Sequence, residues 1–129
     1  METHHILLVD DCQLVLRSLG PFLESKGYRV TTADNGQDAA RLIEQKRFDI
    51  VIADIQLKAL NGVEVFQEIK RIHPGTITIL LTGSGDTTPF INVLRPDVDD
   101  FLLKPFEPDE ICFRIKRCIE MLKLKERLS

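Results

Sequence analysis

No apolar run in this sequence approaches the roughly 18 residues of a membrane span, and the N-terminus has no basic stretch leading into an apolar signal core. A cytoplasmic chain with no membrane association is therefore expected. A basic excess is missing as well: 17 lysines and arginines stand against 20 aspartates and glutamates, for a net charge of -3. Without a global positive field, direct nucleic-acid binding by this segment is not expected. Cysteine is scarce, and the three present, Cys12, Cys112 and Cys118, form no CxxC pair and cannot all be bridged. That suits a reducing compartment and a packing role for all of them. Repeats, low-complexity segments and linkers are also absent, and 129 residues fit one domain, 1–129, with one sizeable core. A composition of 43% hydrophobic and 29% charged residues is that of a globular chain, not a disordered one.

What the sequence does contain is a series of short apolar runs separated by segments of helix length. Ile6 to Val9, Arg29 to Ala33, Phe48 to Ala53, Ile77 to Leu81 and Val98 to Leu103 read as strands buried on both faces. The first helix draws its apolar stripe from Leu14, Leu16, Leu19, Phe22 and Leu23 and closes at Gly27. Gly20-Pro21 interrupts that stripe, which predicts a kink or a late helix start. Asn35-Gly36 marks a turn into a helix over Gln37 to Gln45, and Asn61-Gly62 opens a third that ends at His73-Pro74-Gly75. A fourth helix starting at Asp86 reaches no further than Leu94, because Pro96 forces Arg95 out of helical geometry. A long last helix runs from about Pro108 toward Arg127. Strands alternating with helices require right-handed crossovers, so the fold class is α/β, a doubly wound five-stranded parallel sheet with five helices.

The chemistry-bearing residues stand at the ends of four of these strands: Asp10-Asp11, Asp54, Thr82 and Lys104. Ligands of doubly wound sheets collect outside the carboxyl ends of the strands. Desolvated carboxylates are costly unless paired or metal-bound, so three of them at one sheet edge with a lysine nearby point to a cation site. Singly, each has a plainer reading. A strand-end aspartate is often only a helix cap, Thr82 alone is a turn residue, and Phe101 alone is core. His4 and His5 are adjacent on a strand and face opposite sides, so they do not jointly bind one ion, and His73 before Pro74 reads as a helix end.

Five motifs in order, LLVDD at Leu7 to Asp11, DIVIADIQL at Asp49 to Leu57, NGVEV at Asn61 to Val65, ILLTG at Ile79 to Gly83 and DDFLLKPF at Asp99 to Phe106, resemble the receiver domain of bacterial two-component response regulators. The resemblance covers essentially the whole chain and implies a flavodoxin-like sheet in the order 2-1-3-4-5. It implies that Asp54 accepts a phosphoryl group from a histidine kinase or phosphotransfer protein. Asp11, Asp54 and the backbone carbonyl of Gln56 would hold Mg2+, with Asp10 acting mainly through a bound water. Lys104 would pair with the acceptor and then with a phosphoryl oxygen, Thr82 would hydrogen-bond the phosphoryl group, and Phe101 would fill the space left as the preceding loop moves inward. The family turns its chain after the lysine with a cis peptide, expected here at Lys104-Pro105. Such a domain is substrate and switch, not a turnover enzyme, and its relatives associate through the fourth helix, fifth strand and last helix.

The sequence departs from the family pattern at Lys58, where a proline is common, and at Arg95-Pro96-Asp97, where small residues are usual. Gln56 and Ser84 occupy positions that tune the lifetime of the acyl phosphate, and neither is acidic. Two rival classes share the fold. A flavodoxin-like cofactor protein would place a hydroxyl- and glycine-rich phosphate cradle after the first strand, where this chain has Asp10-Asp11-Cys12-Gln13. A pseudo-receiver, a phosphorylation-independent interaction module, would have lost part of the site, and every site residue is retained. In the last helix, Ile111, Ile115, Cys118, Leu122 and Lys125 recur at helical spacing, and the distal part around Leu122 and Leu124 is expected to stay exposed as a partner surface.

Overall fold

The computed structural model describes residues 3–54, 62–83 and 98–128, the side chains of 62 and 63 excepted. In chain order the elements are β1 (His5–Val9), α1 (Gln13–Ser25), β2 (Arg29–Ala33), α2 (Gly36–Gln45), β3 (Ile50–Asp54), α3 (Gly62–Ile72), β4 (Ile77–Thr82), β5 (Asp100–Leu103) and α4 (Pro108–Leu128). All five strands are parallel, in the order β2-β1-β3-β4-β5. Four helices are present among the described residues where the sequence predicts five. The expected fourth, Asp86 to Leu94, lies outside them.

Alternation along the strands sends side chains to two separate cores. Ile6 and Leu8 of β1, Ile50 and Ile52 of β3 and Ile79 and Leu81 of β4 pack under α1 and α4, whose Leu19, Leu23, Ile111 and Ile115 close that layer. Leu7 and Val9, Val51 and Ala53, and Leu80 point the other way, onto Ala39 and Ile43 of α2 and Val65, Phe66 and Ile69 of α3. Fully burying an aliphatic side chain contributes about 1.5–3 kcal/mol, and a strand with such residues on both sides has no solvent face to slip toward. The central strands are fixed in register by this double burial.

Turn chemistry sets the entries and exits. Gly27 follows α1 at φ 98, in the left-handed region that glycine enters without steric cost. Asn35 caps α2 by accepting the Asp38 amide at 2.8 Å. Of the two outcomes that Gly20-Pro21 allowed, the late start does not occur: α1 begins at Gln13 and continues through Pro21 to Ser25. Leu16, Leu19 and Leu23 flank the proline on one stripe and are all buried against the sheet, and that packing outweighs the missing intrahelical hydrogen bond. Leu14 is not part of the stripe and is 75% exposed. Leu122 also differs from expectation: it is partly buried and packs against the core under α4, whereas Leu124 is exposed. No described helix is long and apolar enough to cross a membrane.

Candidate functional site

Register brings the strand-end residues together. Val9 pairs with Ala53 across β1 and β3, so the next residues, Asp10 and Asp54, emerge side by side at the carboxyl edge of the sheet. Thr82 pairs with Leu103 across β4 and β5, and the Lys104 amide donates to the Thr82 carbonyl at 2.8 Å. The Lys104-Pro105 peptide is cis, and the lysine side chain reaches back over the edge. Its Nζ lies 2.6 Å from Asp54 Oδ2 and 2.7 Å from Asp10 Oδ2. Carboxylate oxygens of Asp10, Asp11 and Asp54 lie within 4.8 Å of one another. Asp10 and Asp54 are buried, and Asp11 is the most open of the three to solvent.

The electrostatics of this cluster are unbalanced. Burial raises the Asp10 carboxyl above the ordinary carboxylate range, against the opposing pull of the Lys104 ammonium and the Cys12 amide, which donates to Oδ1 at 2.9 Å. Burial also works against the Lys104 ammonium, but Asp10 and Asp54 together hold its pKa above the ordinary lysine value. The two directions are compatible because one lysine has two carboxylates while each carboxylate has only a share in one lysine. The contact from Lys104 to Asp10 Oδ2 is an ion pair without hydrogen-bond alignment, and that buried oxygen has no aligned donor. A desolvated oxygen in this condition, with a second and third carboxylate beside it, fits a hard divalent cation. An oxygen-only donor set favours Mg2+ over zinc.

Thr82 is fully buried at the end of β4, with its hydroxyl 3.5 Å from the Gly83 carbonyl. Phe101 is half-buried and packs with Val98 against the core beneath α2 and α3. Gln56, the expected source of a backbone ligand, lies outside the described residues, as do Lys58, Ser84 and the segment Arg95-Pro96-Asp97. Two features escaped the sequence reading. The Cys12 amide that supports Asp10 is a backbone contact, invisible in residue identity. Exposed Leu14 joins Val15, Gly83, Pro105 and Phe106 beside Lys104 around an open, mostly apolar hollow of about 550 Å³; its only sequence signal was an apolar residue one step out of phase with the stripe of α1.

Residues 6–116 match the family profile described as "Response regulator receiver domain". The chain is similar to the transcriptional regulatory protein GlrR of Escherichia coli (strain K12), at 34% identity over 116 residues, which are 90% of this chain and 26% of that protein. It is also similar to the transcriptional regulatory protein SrrA of Staphylococcus aureus (strain NCTC 8325 / PS 47), at 31% identity over 114 residues, 88% of this chain and 47% of that protein. The chain thus spans less than half the length of either regulator. Among solved structures, a response regulator receiver domain protein from Clostridium thermocellum superposes with a TM-score of 0.85 at 30% identity, covering 94% of this chain and 98% of that one. A CheY-like receiver domain protein from Methanospirillum hungatei JF-1 gives a TM-score of 0.86 at 28% identity, covering 99% of this chain and 100% of the other.

Proposed function

This chain belongs to the response regulator receiver family of two-component signalling, and on that premise we propose that Asp54 is its phosphoacceptor, charged by a histidine kinase or phosphotransfer protein. The observation that carries the reading is the single ammonium of Lys104 held between Asp54 and Asp10, with Asp11 completing the acidic group.

A carboxylate oxygen of Asp54 attacks the phosphorus of a phosphohistidine, the phosphorus-nitrogen bond breaks, and its electron pair leaves with the imidazole. The product is an acyl phosphate on Asp54. Lys104 orients the nucleophile before attack through its 2.6 Å contact and then moves onto a phosphoryl oxygen as a point charge. Asp10, Asp11 and Asp54 would hold Mg2+, which when bound would supply the positive charge that lets one anion approach another. Thr82 binds a phosphoryl oxygen through its hydroxyl and Phe101 turns further inward, so the charge state of Asp54 is read out at the surface around β5. The chain gains and loses its own phosphoryl group and turns over no separate substrate. The apolar hollow beside Lys104 supports approach of the donor protein from the α1 side, because an exposed apolar surface at the mouth of a charged pocket is a docking surface for a partner.

Acetyl phosphate with Mg2+ is expected to add one phosphoryl group per chain by intact-mass spectrometry. Omission of Mg2+ or the substitution Asp54→Ala is expected to abolish the addition. Equal labelling of Asp54→Ala would remove Asp54 from its role, and an unlabelled wild-type chain in the presence of Mg2+ would favour the pseudo-receiver reading.

A further inference from the structure

β5 delivers Lys104 to the acidic pocket, yet burial does little to hold this strand in place. Every residue of β3 and β4 is buried, whereas of Asp100–Leu103 in β5 only Leu102 is. β5 is also an edge strand, paired with β4 alone. A strand is pinned in register by the side chains it buries, and a slip by one residue sends each of them to the opposite face. A lone buried leucine specifies that register weakly. The same slip would carry Lys104 about 3.3 Å along the strand, a displacement larger than its 2.6 Å contact with Asp54.

A polar clasp at the start of the strand supplements burial. Asp99 Oδ2 accepts the Thr78 amide at 2.8 Å and the Thr78 hydroxyl at 3.1 Å, and the Asp99 amide donates to the Thr78 carbonyl at 2.9 Å. Thr78 lies within β4 and is fully buried, so its polar groups need acceptors and donors from the chain. A residue that takes the amide of its neighbour with its side chain and meets the carbonyl with its own amide fits one alignment of the two strands. Lys70, in the last turn of α3, stands 3.7 Å from the same Oδ2 and donates to the Thr76 carbonyl at 3.1 Å, which ties the clasp to the turn leading into β4.

We propose that Asp99 is a positioning residue for Lys104: its clasp on Thr78 sets the register of β5 at one end, and the strand holds the ammonium on Asp54 at the other. The inference rests on the reading of Asp54 as phosphoacceptor and adds to it a residue that touches no reacting atom. At the pocket end the Lys104 amide is held by the Thr82 carbonyl at 2.8 Å. With both ends fixed, Thr82 pairs with Leu103 and Lys104 emerges at the sheet edge. Without the clasp only the pocket end is tied, and the ammonium spends part of its time off the acceptor.

Phosphorylation by acetyl phosphate in saturating Mg2+, followed well below the thermal midpoint of each chain, is expected to slow about 10- to 100-fold in Asp99→Ala, the scale of a misplacement near 1 Å. Asp99→Asn keeps an oxygen for the Thr78 amide and is expected to recover most of the rate. Because Asp99 acts through Lys104, Asp99→Ala is expected to add nothing to the loss caused by Lys104→Ala. Mg2+ binding by titration calorimetry is not weakened, since Asp10, Asp11 and Asp54 stand at the ends of β1 and β3, which the clasp does not touch. An Asp99→Ala chain as fast as wild type, an Asp99→Asn chain as slow as Asp99→Ala, or a loss that multiplies with that of Lys104→Ala would each overturn the proposal. Should Asp99→Ala not fold by circular dichroism, Asp99→Glu carries the same test, because it keeps a charge near Lys70 and displaces the carboxylate by one methylene. If the wild type takes no phosphoryl group, the role of Asp54 fails and the clasp is read from hydrogen exchange of the Lys104 amide. Exchange is expected to be faster in Asp99→Ala than in wild type; equal exchange would show that the clasp does not hold β5.

Discussion

Asp10 shows how the site trades stability for chemistry. It is fully buried, its Oδ2 lacks an aligned donor, and it shares Lys104 with Asp54. Burial raises its pKa against the pull of Lys104, so folding works against the charged form relative to the unfolded chain. An asparagine keeps an oxygen to accept the Cys12 amide and removes the charge that burial opposes. Asp10→Asn is therefore expected to raise the thermal midpoint of the metal-free protein in chelator while weakening Mg2+ binding; a lowered midpoint would show that the Lys104 pairing outweighs desolvation. His5 gives the pH counterpart at the opposite edge of the sheet. Its pKa is lowered by burial first and by Arg29 and Lys46 next, and its ring Nε2 lies 2.7 Å from Thr31 Oγ1. A histidine with a lowered folded pKa binds its proton more readily when unfolded. Its contribution is fully present above the ordinary value of about 6.5 and is lost as pH falls through that value toward the folded pKa. Urea midpoints measured from pH 7.5 to 5.5 should fall more steeply for the wild type than for His5→Gln, with His4 and His73 common to both chains. Parallel slopes would contradict this.

Among the elements, α1 holds the clearest excess cost. Gly20 sits buried in mid-helix, and a Cβ built there would meet only Thr32 Cγ2 at 3.9 Å, an ordinary contact. Gly20→Ala is expected to stabilise the fold by about 0.5–1 kcal/mol, because the folded state loses nothing and the unfolded chain loses freedom. A decrease in the urea midpoint would mean that Thr32 cannot yield. The same helix marks where sequence reading falls short. β2 and α2 are legible because Gly27 and Asn35 punctuate them with residues whose backbone or capping preference is local. Pro21 misleads only as to where α1 starts, and for the opposite reason: the local penalty is real, but Leu16, Leu19 and Leu23 bury on the sheet on both sides of it, a tertiary contribution that no window around Pro21 contains. Leu122 misleads similarly, since whether an apolar position late in α4 finds the core depends on where the helix axis crosses the sheet. The site is more legible than these details. Asp10, Asp54, Thr82 and Lys104 end their strands, and a parallel sheet brings strand ends to one edge whatever the details of packing. What the sequence does not contain is the sharing of one lysine between two carboxylates and the support of Asp10 by a backbone amide, because both depend on register to within one residue.

For the molecule as a whole, folding crowds charge that the unfolded chain keeps apart. Asp10 and Asp54 are separated by more than forty positions in sequence and by a single strand spacing in the sheet, and one ammonium neutralises only part of what β1, β3 and β5 bring together. A cation that binds this cluster binds the folded state and has no equivalent site in the unfolded one. Its binding free energy therefore adds to stability by mass action, and at ten times the dissociation constant the gain is about 1.4 kcal/mol. For a domain of this size that corresponds to a rise in thermal midpoint of about 3–6 °C. Calorimetry in chelator and then in excess Mg2+, at constant ionic strength maintained with Na+, isolates the specific effect from screening. The midpoint should rise for the wild type and rise much less for Asp11→Ala, whose open position gives it little part in the core and leaves the metal-free fold intact. An equal rise in both chains would place the cation elsewhere. No rise in the wild type would mean that Lys104 alone satisfies the cluster, and the three carboxylates would then be a structural ion-pair network in place of a metal centre.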